Sequence, residues 1–322
     1  MALNVGDYRI SLDTRDPQAN LYFVSHAHSD HTSGVRKSHR ILCSEITRDL
    51  VEQRVKYSID LAPLPSGARM LNSGHMFGSR QLLLEPENGS TILYTGDYQM
   101  QKSPAAEEIE ISHADIVIMD STYPFVNVTF DDREEVIASI QSYIRDKGRF
   151  GSILFGAYAM GKAQELVRIC NDMGISPLVD TGVARMNRVY SNHGMRLDYT
   201  VRDLAAGVGE RDFYETVWIA STHNMEKVKQ YVADLNNRIF TAVATGFAKM
   251  MRFGTDVQFA LSDHADFSQA LQYLEICEPK YVYTCGSGAA TFAKNLKAHG
   301  YEAAPSKLTT NVASLLAGYS KN

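Results

Sequence analysis

Three imidazoles and a carboxylate crowd into six residues, His26-Ala27-His28-Ser29-Asp30-His31. Imidazole nitrogen suits zinc or another transition ion, and a carboxylate suits a harder ion or a second metal position. Residues at i, i+2, i+4 and i+5 cannot all reach one ion from one strand edge. His26 and His28 share a face while Asp30 and His31 turn away, so the spacing invites two adjacent metals. A His-rich polar surface loop is the plain alternative, and only residues far along the chain decide against it.

The elements around the cluster must aim it. Leu21-Tyr22-Phe23-Val24 reads as a buried strand running into the cluster, and Thr32-Ser33-Gly34 as the loop leaving it. Other apolar stretches also end on ionisable residues. Tyr8–Asp13 is an early strand closing on Asp13, which is also a common turn residue. His75 sits in the glycine-bearing loop Asn72–Ser79 before the strand-like Gln81–Glu85. Taken alone it reads as a turn residue, while its glycines permit close backbone approach. Gly78 and Ser79 there offer donors to an anion. Thr91–Asp97 ends in Gly-Asp and Ala114–Asp120 ends on Asp120. Ser44 is placed to cap a helix running to Lys56.

Beyond Asp120 the pattern changes to helix and strand in alternation, as in an α/β unit. Asp131-Asp132-Arg133-Glu134-Glu135 opens a helix with acids at its N-terminal end, and Gly148 stops it. Strand Ser152–Phe155 leads through a glycine-rich turn to helix Ala163–Met173. Such a turn can hold an anion, but it is neither a Walker loop nor G-x-G-x-x-G, which argues against a nucleotide cofactor. Residues 185–211 carry Arg185, Arg188, Arg196, Arg202 and Arg211 with only three acids. With Lys249 and Arg252 they are either a phosphate-tracking patch or a solvated helical face. Phe259–Phe267 contains Ser262-Asp263-His264-Ala265-Asp266, and Lys280–Gly288 is a strand and glycine turn holding Cys285.

The chain has 322 residues, 44% hydrophobic and 21% charged, the composition of a soluble globular protein of one large or two ordinary domains. No apolar run reaches the roughly 18 residues of a membrane span, and residues 1–7 lack the features of a signal peptide. The four cysteines are far apart, with no C-x-x-C pair, and read as reduced thiols in a cytoplasmic protein. Net charge is −5, so a nucleic-acid partner would need a local basic groove or the metals themselves. No stretch identifies a protein partner.

The segment 26–31 matches the H-x-H-x-D-H signature of the metallo-β-lactamase superfamily. Gly74-His75 with Gly78-Ser79 resembles its third metal motif, and Gly96-Asp97 its fourth. Asp120-Ser121-Thr122-Tyr123 resembles the first motif of the β-CASP branch, whose members cut nucleic acids. The segment 155–166 resembles the branch's F-x-x-G-R-x-Q-E-L, with Lys162 where Arg is usual, and 244–248 resembles its S-G-W segment. Ser262 to Phe267 matches S-x-H-x-D-[FWY]. Cys285 stands where ribonuclease members carry His and many DNA-directed members Val; it is either a thiolate near the site or a small buried residue.

The resemblance implies an α/β fold: an αββα metallo-β-lactamase sandwich, residues 1–123 and 257–322, with a compact β-CASP α/β domain, 124–256, inserted. The site would form in the cleft between the domains. His26, His28 and His75 would hold one divalent ion, Asp30, His31 and His264 the other, and Asp97 would bridge them. The ions are zinc first, with manganese allowed. Asp13 would orient a ligating histidine by accepting its other ring N–H. Metal-activated hydroxide would attack phosphorus, with Asp30, His264 and Asp120 catalytic and Asp120 orienting His264 or helping to protonate the leaving oxygen. Lys162, and Arg185, Arg188 and Arg196 where their stretch is read as a phosphate-tracking patch, would touch the nucleic acid. The implied activity is a nuclease, read as an exonuclease leaning to DNA. A ribonuclease of the same family, a small-molecule hydrolase and an inactive nucleic-acid-binding scaffold are the rivals.

Overall fold

The computed structural model describes residues 1–5, 7–85, 90–203, 216–234 and 238–306, so Arg211 lies outside the described residues. The chain divides into two compact units. The first comprises Met1–Met100, Glu107–Thr129 and His264–Asn322, the second Gln101–Ala106 and Phe130–Asp263.

The first unit carries two sheets among its described residues. One is β1 (Ala2–Val5), β2 (Tyr8–Leu12), β3 (Leu21–Phe23) and β4 (Ile41–Leu42), in that order. The other is built from β5 (Ala68–Asn72), β6 (Arg80–Leu84), β7 (Ile92–Tyr94), β8 (Ile116–Asp120), β15 (Tyr281–Cys285) and β16 (Ala303–Pro305), in the order β16-β15-β8-β7-β6-β5. Side chains alternate across a strand, and the second sheet uses both faces. Leu82, Leu84, Ile92, Tyr94, Ile116 and Ile118 share one core with Leu3, Ile10, Leu12, Leu21 and Phe23 of the first sheet. Leu83, Leu93, Val117 and Met119 face the other way, onto Tyr273 and Leu274 of α6 (Phe267–Cys277) and Phe292 and Leu296 of α7 (Ala289–Ala298). Helix α1 (Glu45–Val55) starts where Ser44 Oγ accepts from the Thr47 N–H, and Lys56 in the left-handed region ends it.

The second unit is one parallel sheet with helices on both faces, the arrangement that lets strands be apolar throughout. Its strands are β9 (Ser152–Ala157), β10 (Leu178–Asp180), β11 (Thr200–Arg202), β12 (Val217–Ser221), β13 (Ile239–Ala244) and β14 (Val257–Phe259), in the order β11-β10-β12-β9-β13-β14. Ile153, Phe155 and Ile219 meet residues of α2 (Arg133–Lys147), α3 (Lys162–Asn171) and α4 (Thr181–Asn192). Leu154, Trp218 and Ala220 meet Val228 of α5 (Met225–Asp234) on the other face. Among the described residues, no helix is long and apolar enough to cross a membrane.

Candidate metal centre

Strand direction gathers the site residues, all of them in the first unit. β2 and β3 run parallel, as do β7 and β8, so each pair delivers its following residues to one edge. Asp13 follows β2, His26 lies just beyond β3, Asp97 lies just beyond β7, and Asp120 ends β8. β6 is antiparallel to β7, so the β5–β6 connection carrying His75 turns at that same edge.

Asp13 has a φ of 52°, a left-handed setting that costs a non-glycine residue about 1–3 kcal/mol. Its carboxylate is heavily used in return. It accepts from Ser25 N at 2.7 Å and from Ser25 Oγ, and from Tyr94 Oη and His31 Nδ1 at 2.8 Å each. Ser25 Oγ, its proton given to Asp13, accepts from His26 Nδ1 at 3.0 Å. Both relays place a proton on Nδ1 and turn the Nε2 atoms of His31 and His26 towards Asp97.

Around that point, His28 Nδ1 lies 3.0 Å from His26 Nε2 and 3.2 Å from His75 Nε2, and Asp97 Oδ2 lies 3.5 and 3.9 Å from the same two Nε2 atoms. A tetrahedral ion bound at ~2.0–2.1 Å keeps its ligands about 3.3–3.4 Å apart. The four separations bracket that spacing, so the donor set fits a cation in both chemistry and size. Asp97 also belongs to a second donor group with Asp120 and His264. His264 Nδ1 donates to Asp120 Oδ2 at 2.9 Å and lies 3.9 Å from Asp97 Oδ2. Asp120 Oδ1 accepts from the Thr122 N–H at 3.0 Å and its hydroxyl at 2.8 Å, which gives the D-x-T spacing its physical reason. Gly96 is required before Asp97: its φ is 55°, and a Cβ there would sit 2.5 Å from the Ser25 Cβ. Two His/Asp donor groups sharing one carboxylate give this chain the capacity to bind two metal ions.

The electrostatics agree. Burial, with His31 and His75 close by, holds His26 well below the ordinary imidazole range, so it is a neutral donor. Burial opposes charge on His31, but Asp97 and Asp13 overcome it and raise its pKa well above ordinary. Burial likewise works against the Asp97 charge, and His31, His264 and His26 override it, holding that carboxyl well below the usual range. The His31 Nε2 to Asp97 Oδ2 distance is 3.3 Å, and a cation can take the place of the proton these groups share.

Several residues from the sequence reading sit differently. Asp30 is outside both donor groups; its side chain is 78% exposed, with Oδ2 3.6 Å from His31 Nε2. His31 lies beside the second group through Asp97, and Asp120 is brought in as a donor. Cys285 is also outside both groups. It is half-buried, its thiol donates to the Met119 carbonyl at 3.2 Å, and burial together with Asp120 and Asp97 pushes its pKa well up, so it is a neutral thiol. The anion donors considered at Gly78 and Ser79 are engaged: Gly78 N donates to Glu107 at 2.9 Å, and Ser79 Oγ accepts from Ser73 at 2.7 Å. In the second unit, Lys162 is 2% exposed and paired with Glu165 and Asp263, so it presents no ammonium to a phosphate. Arg185 and Arg188 lie exposed on α4, and Arg196 is exposed beyond it. Ser25 and Tyr94 escaped the sequence reading; the hydroxyl adjoining His26 was the available signal.

No protein-family model matches the chain. Its relatives are informative. A protein described as "Probable DNA ligase" from Opitutus terrae is 32% identical over 311 residues, 91% of this chain and 29% of that protein. "Probable RNase MJ4" from Methanocaldococcus jannaschii is 27% identical over 216 residues, 54% of this chain and 50% of that protein. "5' exonuclease Apollo" from Gallus gallus is 31% identical over 173 residues, 48% of this chain and 37% of that protein. The chain belongs to the β-CASP metallo-hydrolase family. It spans half or less of the length of each of these three relatives. A crystal structure of an Enterococcus faecalis V583 protein of unknown function shares the fold, with a TM-score of 0.62 at 12% identity over 91% of this chain and 80% of that one.

Proposed function

We propose that this β-CASP protein is a two-metal nuclease that hydrolyses nucleic-acid phosphodiester bonds from an end, with DNA as the favoured substrate. The first unit is then the αββα metallo-β-lactamase sandwich and the second the inserted β-CASP domain. The observation that carries the reading is Asp97, one buried carboxylate shared by two donor groups. Bound there, two divalent cations, zinc first with manganese as the alternative, would neutralise charge on a phosphate oxygen and acidify a water at neutral pH. The chain's own residues set the rest. His26, His28 and His75 hold one position with Asp97. His31 and His264 hold the other, with Asp30 the remaining carboxylate within 3.6 Å of His31. Asp13 keeps His31 in the tautomer that presents Nε2. Asp120 orients the His264 ring by accepting its Nδ1–H, or itself helps to protonate the departing oxygen.

Support for DNA comes from the ligase-named relative, which is similar to this chain over nine-tenths of its length. A DNA end is also what a ligase joins, so the reaction fits trimming of ends ahead of joining. Support for attack from an end comes from the exonuclease-named relative. The neutral Cys285 thiol behaves as the Val of DNA-directed members would. A ribonuclease reading is the second one, favoured by the relative named as an RNase. The exposed Arg185, Arg188 and Arg196 are the residues proposed to track phosphates.

The test presents end-labelled single-stranded DNA and RNA of one sequence to the protein, with its metal content measured in the same preparation. Two metals and stepwise shortening of DNA is the expected result. Preferential RNA shortening would move the substrate, and two metals with no cleavage of either would favour a nucleic-acid-binding scaffold.

A further inference from the structure

The second unit has a buried charged group of its own. Lys162 Nζ lies 2.5 Å from Glu165 Oε2 and 2.6 Å from Asp263 Oδ1. Arg133 Nη2 lies 2.7 Å from Glu165 Oε1 and 3.3 Å from Asp263 Oδ1. Two cations face two carboxylates, so the quartet carries no net charge. Three members sit on helices: Arg133 begins α2, and Lys162 and Glu165 lie one turn apart on α3. Asp263 does not. It lies between β14 and α6 and is bonded through the chain to His264.

The clamp reaches the backbone too. Arg133 Nη1 donates to the Ser262 carbonyl at 2.6 Å. Both residues before His264 are therefore held, one by its carbonyl and one by its carboxylate. In the first unit, Gln99 Nε2 donates to the His264 carbonyl at 2.9 Å and Ala265 N donates to the Tyr98 carbonyl at 2.9 Å. Residues 260–266 lie between β14 and α6, outside any ladder or helix of their own. A reacting side chain on such a segment needs outside support to stay within about 0.5 Å of its working place.

We infer that the Lys162–Arg133–Glu165 group is a positioning device for His264: by gripping Asp263 and Ser262 it sets the angle at which the imidazole meets Asp120. This rests on the hydrolytic reading, in which His264 works at the reaction centre. Lys162, Arg133 and Asp263 are positioning residues and need touch no substrate. Directional, charge-assisted hydrogen bonds define such a position more sharply than apolar packing of equal area.

Two double variants separate positioning from general stability. Lys162→Met with Asp263→Ala leaves the Arg133–Glu165 pair intact and cuts the grip on residue 263. Lys162→Met with Glu165→Gln leaves Arg133 on Asp263 and keeps that grip. Each removes the same lysine and one carboxylate. Misplacing a reacting group by ~1 Å can cost about 10²-fold, so kcat of the first double should fall well below that of the second, with KM similar in both. Equal kcat values would overturn the proposal. A second readout does not need turnover: the Nδ1–H signal of His264 in histidine-labelled, metal-loaded protein. It should persist in the second double and broaden or vanish in the first; equal signals would overturn the proposal. If the parent protein cleaves no nucleic acid, the hydrolytic reading fails on its own, and the imidazole signal still decides the positioning. If the first double does not fold, Asp263→Glu carries the comparison: a shifted signal supports the clamp, and an unchanged one rejects it.

Discussion

Each unit buries a cluster of ionisable side chains, and the two meet their charge in opposite ways. In the second unit Glu165 and Asp263 are answered within the protein by Arg133 and Lys162. In the first, every ion pair that Asp13, Asp97 and Asp120 make among the described residues is with a histidine, and His26 is held neutral. Among the described residues, no lysine or arginine closes that cluster. The contrast separates a structural cluster from a ligand site. Carboxylates that bring their own lysine and arginine are complete on folding, whereas carboxylates met only by imidazoles leave a donor set that can take a cation from solution.

The sharpest way to break this contrast is at Asp97. Because both donor groups use it, Asp97→Ala should lower metal content from two ions towards none and reduce cleavage by ~10³-fold or more, while the fold persists by circular dichroism. Unchanged metal content would mean that the two groups do not share it. The matching change in the second unit should behave differently. Arg133→Met leaves two buried carboxylates with one cation, and breaking such a buried group costs about 3–5 kcal/mol. Denaturant unfolding should show that loss, while the His26–His28–His75 group still loads its ion. A stable variant that loses that ion would reverse the assignment of roles.

What could be read from sequence follows the same division. The first cluster was legible because much of it is local: His26, His28, Asp30 and His31 lie within six residues, and Gly96 announces Asp97 by a conformation that only glycine tolerates there. The helix cap at Ser44 and the acidic start of α2 were legible for the same reason. The quartet was not. Lys162, in a glycine-rich turn, looked like a phosphate contact, and only a carboxylate 101 residues away shows that its charge is already met. Asp30 is the intermediate case: it stands outside both donor groups and largely exposed, yet its Oδ2 lies 3.6 Å from His31 Nε2. The buried strand β13 was missed beside a segment read for its family likeness, since its place is set by pairing with β9 from far earlier in the chain.

A finer probe of the first cluster is Asp13, which touches the proposed metal positions only through other residues. Asp13→Asn keeps the shape but weakens the relays to His31 and His26, so metal affinity should fall by about 10–100-fold. Titration with a competing chelator would measure it. A fall as large as that of Asp97→Ala would make Asp13 a direct ligand and redraw the site.

The smallest effect concerns a respect in which the two units should be alike. Cys43 in the first and Cys170 in the second are both buried, and burial pushes each thiol from 9.0 to about 12. The sign follows from which state deprotonates first. Below pH 9 both states hold the proton and the stabilisation is whole; as pH rises from about 9 towards 12 the unfolded chain ionises first and stability is lost. At pH 10 that loss is on the order of 1 kcal/mol for each thiol. Urea unfolding at pH 8 and pH 10 should therefore show a shallower alkaline decline in Cys170→Ala than in the parent, and the same in Cys43→Ala. A decline that responds only to Cys43 would mean that the first unit alone governs unfolding. The metal-bearing unit would then be the weaker of the two, and loading its two positions would be expected to stabilise the whole chain.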